Sequence, residues 1–425
     1  MEPQDFLGLC DLVRRELLEV YPQLLDSSPF DQGNRARLEE VVLRILISKG
    51  LARFARGADL AVRVCSEVAG LGPLEPVLAL ESVTEIMVNG PEEVYIERSG
   101  QLVKTEISFR NNRHVEDLIA RIVAPLGRRV DRTSPFVDAR LPDGSRIHAI
   151  IEPLSVKGPV LTIRRFQPGL SAEELTRAGT WSEEIEGFLT AAVRGKLNII
   201  VSGGTSSGKT TTLNALSGLI SRGKERIITI EDSAELQLAH EHVISLEARP
   251  PNLDGRGEVT IRKLLKNALR MRPDRIIIGE CRGAEAFDLL QAMNTGHGGS
   301  MSTVHANSAK DALSRLAAMA IMAAEDIPYP ILHHQVREAV DIVVHQQREA
   351  DGRRRVREVC VVSGLGDGNG EGQPPVQQVF SWTHSVGFRK ASGVKLSLRL
   401  AERLGEGGGR GDRGDDSSPK EVFPG

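Results

Sequence analysis

The 425-residue chain is short of aromatics, 4% of its residues, and of cysteine, with four in all. So few rings leave little with which to build the base-stacking platforms that grip single-stranded nucleic acid. The formal charge, 54 − 57 = −3, also lacks the basic excess of a dedicated nucleic-acid binder. Cys10, Cys65, Cys281 and Cys360 stand far apart, with no pair at metal-ligand spacing and too few for an extracellular disulfide framework. A reduced, cytosolic chain is the expectation. Long apolar runs are missing too: the longest, Leu316 to Ala324, is about half of the ~18 residues that a membrane span needs. The opening MEPQDFLGLCDLVRRELLEV mixes acids and bases and does not read as a signal peptide, although peripheral attachment to a membrane stays open. With 40% hydrophobic and 26% charged residues, the chain has the make-up of an ordinary globular protein. At roughly 150 residues per domain it has room for two or three.

Apolar periodicity predicts helices through Phe6–Val20, Leu38–Leu46 and Leu60–Val68, so residues 1–70 form an N-terminal helical segment. The texture then changes. EIMVNG reads as a strand, EEVYIERSGQLVKTEISF as a hairpin turning at Ser99-Gly100, and Val115 to Leu126 as a helix. FVDARLPDGSRIHAIIEP makes a strand pair around Pro142-Asp143-Gly144, and PVLTIRRF is a last strand. Residues 71–166 are therefore an α+β domain, followed by a linker over 167–180. From Trp181 to Ser363, isoleucine-rich strands at Leu197–Ser202, Arg226–Ile230 and Arg275–Gly279 alternate with helices, the grammar of a mostly parallel sheet. The domain closes in a hairpin, DIVVHQQR and RRVREVCVV, around Asp351-Gly352. Beyond it, 364–425 is a glycine-rich extension with a weaker strand-like block at Val379–Leu400 and an end expected to be disordered.

GGTSSGKT, from Gly203 through Gly204, Thr205, Ser206, Ser207, Gly208 and Lys209 to Thr210, fits G-x-x-x-x-G-K-[ST] between a strand and a helix. Small residues let successive N–H groups wrap a β-phosphate. Lys209 places a positive charge on the β and γ oxygens, Thr210 offers a hydroxyl to magnesium, and the helix N-terminus faces the anion. RIIIGE puts Glu280 at the carboxyl end of a strand, where parallel sheets bind ligands, to hold a magnesium-bound water or orient the attacking one. Gly279 fills the place of a second acid, so Glu231 and Asp232 at the end of RIITIED are expected to supply it, with Glu235 one turn on. His297 and His305 in TGHGGSMSTVHAN are placed between two helical segments as candidate phosphate sensors, and no completing ligand suggests a metal there. Arginines such as Arg128, Arg140, Arg146, Arg164, Arg270 and Arg282 include candidates to offset a triphosphate, without a choice among them.

GGTSSGKTTTLN, ITIEDSAEL and RMRPDRIIIGECRGAEAFDLLQAMNTGHGGSMSTVHAN, in this order, resemble the type II/IV secretion ATPase superfamily. SPFVDARLPDGSRIHAIIEPL followed by LTIRRF resembles its Flp/Tad pilus assembly (CpaF-like) branch, and the likeness spans about Leu71 to Val362. The resemblance implies a RecA-like P-loop domain after the α+β domain, ATP and Mg2+ as ligands, and a homohexameric motor at the inner face of the cytoplasmic membrane. It implies an inner-membrane platform protein as partner and a pilus or secreted protein as cargo. It assigns Gly203 to Thr210, with Thr211, to Walker A, Glu231 and Asp232 to an acidic box, Glu280 to Walker B, and His297 and His305 to a histidine box. It makes Glu280, Lys209 and Glu231 catalytic, Thr210 and Glu280 the magnesium residues, and Arg140, Arg146 and Arg164 nucleotide contacts. Ser206 departs from a frequent glycine, a change expected to leave the loop usable. The tetracysteine module of other branches is missing, so no zinc is expected. A nucleic-acid translocase on the same core and a non-catalytic ATP-sensing module are the competing readings.

Overall fold

Three leucine- and valine-striped helices open the chain, Pro3–Val20, Gln32–Ser48 and Phe54–Val68, and their stripes meet through Leu9, Val13, Leu17, Val42, Leu46 and Val64. Asp31 starts the second by accepting from Gly33 N and Asn34 N. In this computed structural model the described residues are 3–408, apart from 26–28, 52–53, 99, 168, 222, 224, 250–255, 325–326, 363–375 and 395. Ser99 of the expected turn, and most of the glycine-rich stretches, lie outside them. The chain divides into two units, Met1–Gln167 and Pro168–Gly425. Among the described residues no helix is long and apolar enough to cross a membrane.

The first unit continues as a six-stranded antiparallel sheet of β1 (Val83–Asn89), β2 (Val94–Arg98), β3 (Gln101–Lys104), β4 (Phe136–Arg140), β5 (Arg146–Ile150) and β6 (Val160–Arg164), in the order β3-β2-β1-β6-β5-β4. Helix Asn112–Val123, capped by the Asn111 side chain on His114 N, covers one face. Its Val115, Leu118, Ile119 and Ile122 recur at helical spacing and bury against Ile86, Val88, Ile147, Leu161 and Ile163, which alternate along their strands. The opposite face carries the residues between. There the register sets Arg140 opposite Arg146 and Arg146 opposite Arg164, three guanidinium groups in one row, continued by Glu85 and Glu97.

The second unit holds a nine-stranded mixed sheet in the order β15-β14-β13-β12-β7-β11-β10-β8-β9. Its strands are β7 (Ile199–Gly203), β8 (Ile227–Glu231), β9 (Val243–Glu247), β10 (Arg275–Ile278), β11 (Met301–His305), β12 (Ile342–Arg348), β13 (Arg354–Val362), β14 (Val376–Thr383) and β15 (Gly387–Lys390). From β12 to β9 neighbours run parallel, and β13 to β15 run antiparallel. Helices cover both faces, which is why β7, β8 and β10 are buried along their whole length.

Two expectations need correction. The stretch around His297 and His305 is not simply a connection between helices, because Met301–His305 forms β11 and lies between β7 and β10. MSTVH is buried on both faces, so it shows no alternation to read. The strand-like block at Val379–Leu400 ends at Lys390, and Leu398–Gly408 is a helix. Leu400 and Leu404, one turn apart, bury it in the same core as helix Glu183–Arg194.

Candidate active site

The phosphate loop joins the end of β7 to helix Lys209–Ser217, whose N-cap, Gly208, has φ +94°. Ser206 has φ +57°, in the left-handed region that favours glycine, at the position where the resembled family often carries one. Gly203 has no room for a side chain: a Cβ there would stand 2.3 Å from Gln346 O and 2.5 Å from Ser207 Oγ. Gly204, Thr205 and Ser206 form an exposed rim, Ser207 is buried, and Thr210 and Thr211 are half-buried on the first turn of the helix.

Lys209 is only 8% exposed. Its Nζ donates to Gly204 O at 2.9 Å and lies 3.4–3.5 Å from both ring nitrogens of His305. Burial pushes its pKa down, against the pull of Glu280. His305 Nε2 is 2.9 Å from Glu280 Oε1. Burial, and then Lys209, lower the His305 pKa and favour the neutral imidazole, against the opposing charge of Glu280. On its other oxygen Glu280 meets Arg282 Nη2 at 2.6 Å, and Arg282 Nη1 lies 3.5 Å from Asp232 Oδ2. The turn carrying Arg282 is fixed by Glu285 Oε1, which accepts from the N–H groups of Arg282 and Gly283. Lys209, His305, Glu280 and Asp232 thus follow the carboxyl ends of β7, β11, β10 and β8 in sheet order, with Arg282 bridging the last two.

The remaining expected residues divide. Glu231, expected as a catalytic acid, is 4% exposed and faces its own turn, where its carboxylate accepts from Glu235 N at 3.0 Å and Leu236 N at 3.2 Å. Those contacts fit a residue that shapes the turn bearing Asp232. Gly279, read as the place of a missing acid, has no side chain because Glu231 Cγ would lie 2.8 Å from its Cβ. His297 is not brought to the loop within this chain. It precedes β11, a five-residue strand about 16 Å long, while His305 ends it. His297 Nδ1 instead lies 3.3 Å from Ala292 O. Arg140, Arg146 and Arg164 form the row in the first unit.

Arg282 was one arginine among many in the sequence, and only the fold singles it out. Gln346 and Arg354 were not foreseen. Gln346, on the strand beside β7, donates from its amide to Ser207 O and accepts from Thr212 Oγ1 at 2.5 Å. Arg354 Nε donates to Ser206 O at 3.1 Å. No local pattern marks either, since they lie 139 and 148 residues from the carbonyls they hold.

This loop, with inward-facing N–H groups expected, a buried lysine and a helix N-terminus, has the donor set for a polyphosphate. Thr210 and Glu280 are oxygen donors of the kind that magnesium takes.

Comparison with known proteins agrees. The family described as T2SSE, Type II/IV secretion system protein, matches residues 67–364. The chain is 38% identical over 304 residues to a putative conjugal transfer protein of Mycobacterium tuberculosis, covering 70% of this chain and 86% of that protein. It is 36% identical to the type IV secretion system protein PtlH of Bordetella pertussis, covering 69% and 95%. Among solved structures it is similar to the pilus retraction motor PilT with bound ADP, with a TM-score of 0.50 and 18% identity over 69% of this chain and 83% of that one, a likeness of fold alone.

Proposed function

The chain belongs to the type II/IV secretion system protein family and is an ATPase, and from that premise we propose that it is a ring-forming motor for transport across a bacterial envelope. The observation that carries the reading is the run of polar side chains from Lys209 through His305, Glu280 and Arg282 to Asp232 across four strand ends. ATP is the substrate. The loop and Lys209 hold its phosphates, Glu280 orients the attacking water, and His305 couples the lysine to that carboxylate. Glu231 sets the turn that presents Asp232. Magnesium, bound with the nucleotide, would neutralise charge on the β and γ oxygens, and Thr210 and Glu280 are the residues proposed to meet it. Arg140, Arg146 and Arg164 are proposed nucleotide contacts, since three guanidinium groups on one sheet face have the charge and the fork geometry for phosphate.

At the level of machinery we place the chain with conjugation and type IV secretion proteins, or with Flp/Tad pilus assembly. The relatives above bear the first two names. The pilus branch rests on SPFVDARLPDGSRIHAIIEPL and LTIRRF. A hexamer working against an inner-membrane platform, peripheral to the membrane, belongs to this proposal.

The test measures ATP hydrolysis alongside mass in solution for wild type, Lys209→Ala and Glu280→Gln. Magnesium-dependent turnover should rise as rings of about six form and vanish in both variants, while Glu280→Gln still binds ATP. Tight ATP binding without turnover in any assembly state would sink the motor reading. Stimulation by DNA would point to a nucleic-acid translocase.

A further inference from the structure

A loop that wraps phosphate with its N–H groups must turn the carbonyls of the same peptides outward. A trans peptide holds its C=O and N–H on opposite sides, so fixing one fixes the other. Each outward carbonyl can then be held by a donor of its own. In this loop the peptide from Ser206 to Ser207 has its carbonyl held by Arg354 Nε at 3.1 Å, and the peptide from Ser207 to Gly208 has its carbonyl held by the Gln346 amide. The N–H groups of Ser207 and Gly208 therefore point away from the β12–β13 hairpin, toward the cradle. Gln346 is 1% exposed, and Thr212 Oγ1, donating to its Oε1, decides which way the amide faces. The hairpin is pressed close: a Cβ on Gly208 would stand 2.8 Å from Gln346 Nε2 and 3.0 Å from Arg354 Cδ.

We propose that Gln346 and Arg354 are positioning residues for the nucleotide, holding two phosphate-loop peptides with their N–H groups turned inward. The motif GGTSSGKT contains neither residue, and on this view it is incomplete without them. The same hairpin reaches the start of the second unit, where Arg355 Nη1 donates to Gly179 O at 3.1 Å and Val356 N to Thr180 O at 2.8 Å. A hairpin tied at that base can resist the recoil of the loop it steadies.

The inference rests on the phosphate-loop reading, so one experiment tests both separately. The full chain is titrated with MgADP by calorimetry as wild type, Lys209→Ala, Gln346→Ala, Arg354→Ala and Thr212→Val, with nucleotide-free melting and steady-state ATPase beside it. Binding by wild type that Lys209→Ala weakens keeps the reading; no binding by wild type overturns it and the inference together. Given binding, Gln346→Ala and Arg354→Ala should each raise Kd about tenfold, the weight of one lost hydrogen bond to a loop peptide. KM for ATP should rise alongside while kcat stays within about threefold, a split that a loss of fold would not produce. Thr212→Val frees the amide without deleting it and should give a smaller loss of the same kind. Wild-type affinity in both folded variants overturns the inference. If Gln346→Ala does not fold, the exposed Arg354→Ala decides alone.

Discussion

Glu231 is the residue whose expected and observed surroundings differ most. Its position at a strand end beside Glu280 invites a catalytic role, yet its carboxylate accepts from Glu235 N and Leu236 N. Two substitutions separate the roles. Glu231→Gln keeps one acceptor oxygen and should retain the turn and most of the turnover. Glu231→Ala leaves buried donors unmet and should cost about 1–3 kcal/mol in denaturant unfolding. A Glu231→Gln enzyme as dead as Glu280→Gln, at unchanged stability, would restore the catalytic assignment. The phosphate loop, by contrast, was legible residue by residue, because its chemistry demands fixed types at fixed spacing. Glu231 was not, since a carboxylate at a strand end has the same letters whether it faces the ligand or its own backbone.

Helix Leu398–Gly408 shows what crosses a chain without a local signal. Its packing depends on Gly195, where a Cβ would stand 2.2 Å from the Arg403 carbonyl oxygen and 2.8 Å from its carbon. Backbone cannot swing aside as a side chain can. Gly195→Ala should therefore displace the helix and cost about 1–3 kcal/mol, read by denaturant unfolding and by new proteolysis near residue 397. Nucleotide affinity should be kept, since the phosphate loop is not among those contacts; unchanged stability and protease resistance would refute the account. Sequence reading reached the amphipathic helix Asn112–Val123 and the hairpin β12–β13, whose period or turn is written locally. It missed β11 because MSTVH, buried on both faces, has neither a period nor the isoleucine run that marks β7, β8 and β10. It missed the terminal helix because eleven residues beside glycine-rich sequence show their apolar stripe only once a partner is known.

At the scale of the whole molecule, pH acts on both units through the same physical cause. His114 in the first unit, and His305, His333 and His345 in the second, all have pKa values lowered first by burial. Around them, His114 faces Glu67, Arg110, Asp117 and Arg121, and His345 faces Glu358, Asp311 and Arg357. In the unfolded chain each would titrate near 6.5. Below that value the unfolded state takes up protons that the native state refuses, so the contribution of these groups is present above about 6.5 and lost as pH falls through the folded values. Carboxylates act elsewhere. Burial alone would raise Glu75 and Glu225, but hydrogen bonds, from Arg35 and Ser66 to the first and from Arg275 to the second, hold them below 4.5, so their contribution is lost only in stronger acid. Asp341, raised by burial, has the opposite sign and is one group against four. The midpoint of thermal unfolding should therefore fall between pH 7.5 and 5.5 at constant ionic strength, in every transition the two units show. His345→Asn should flatten the slope of the second unit alone. A midpoint that stays level or rises on acidification would mean that these histidines take up their protons in the native state.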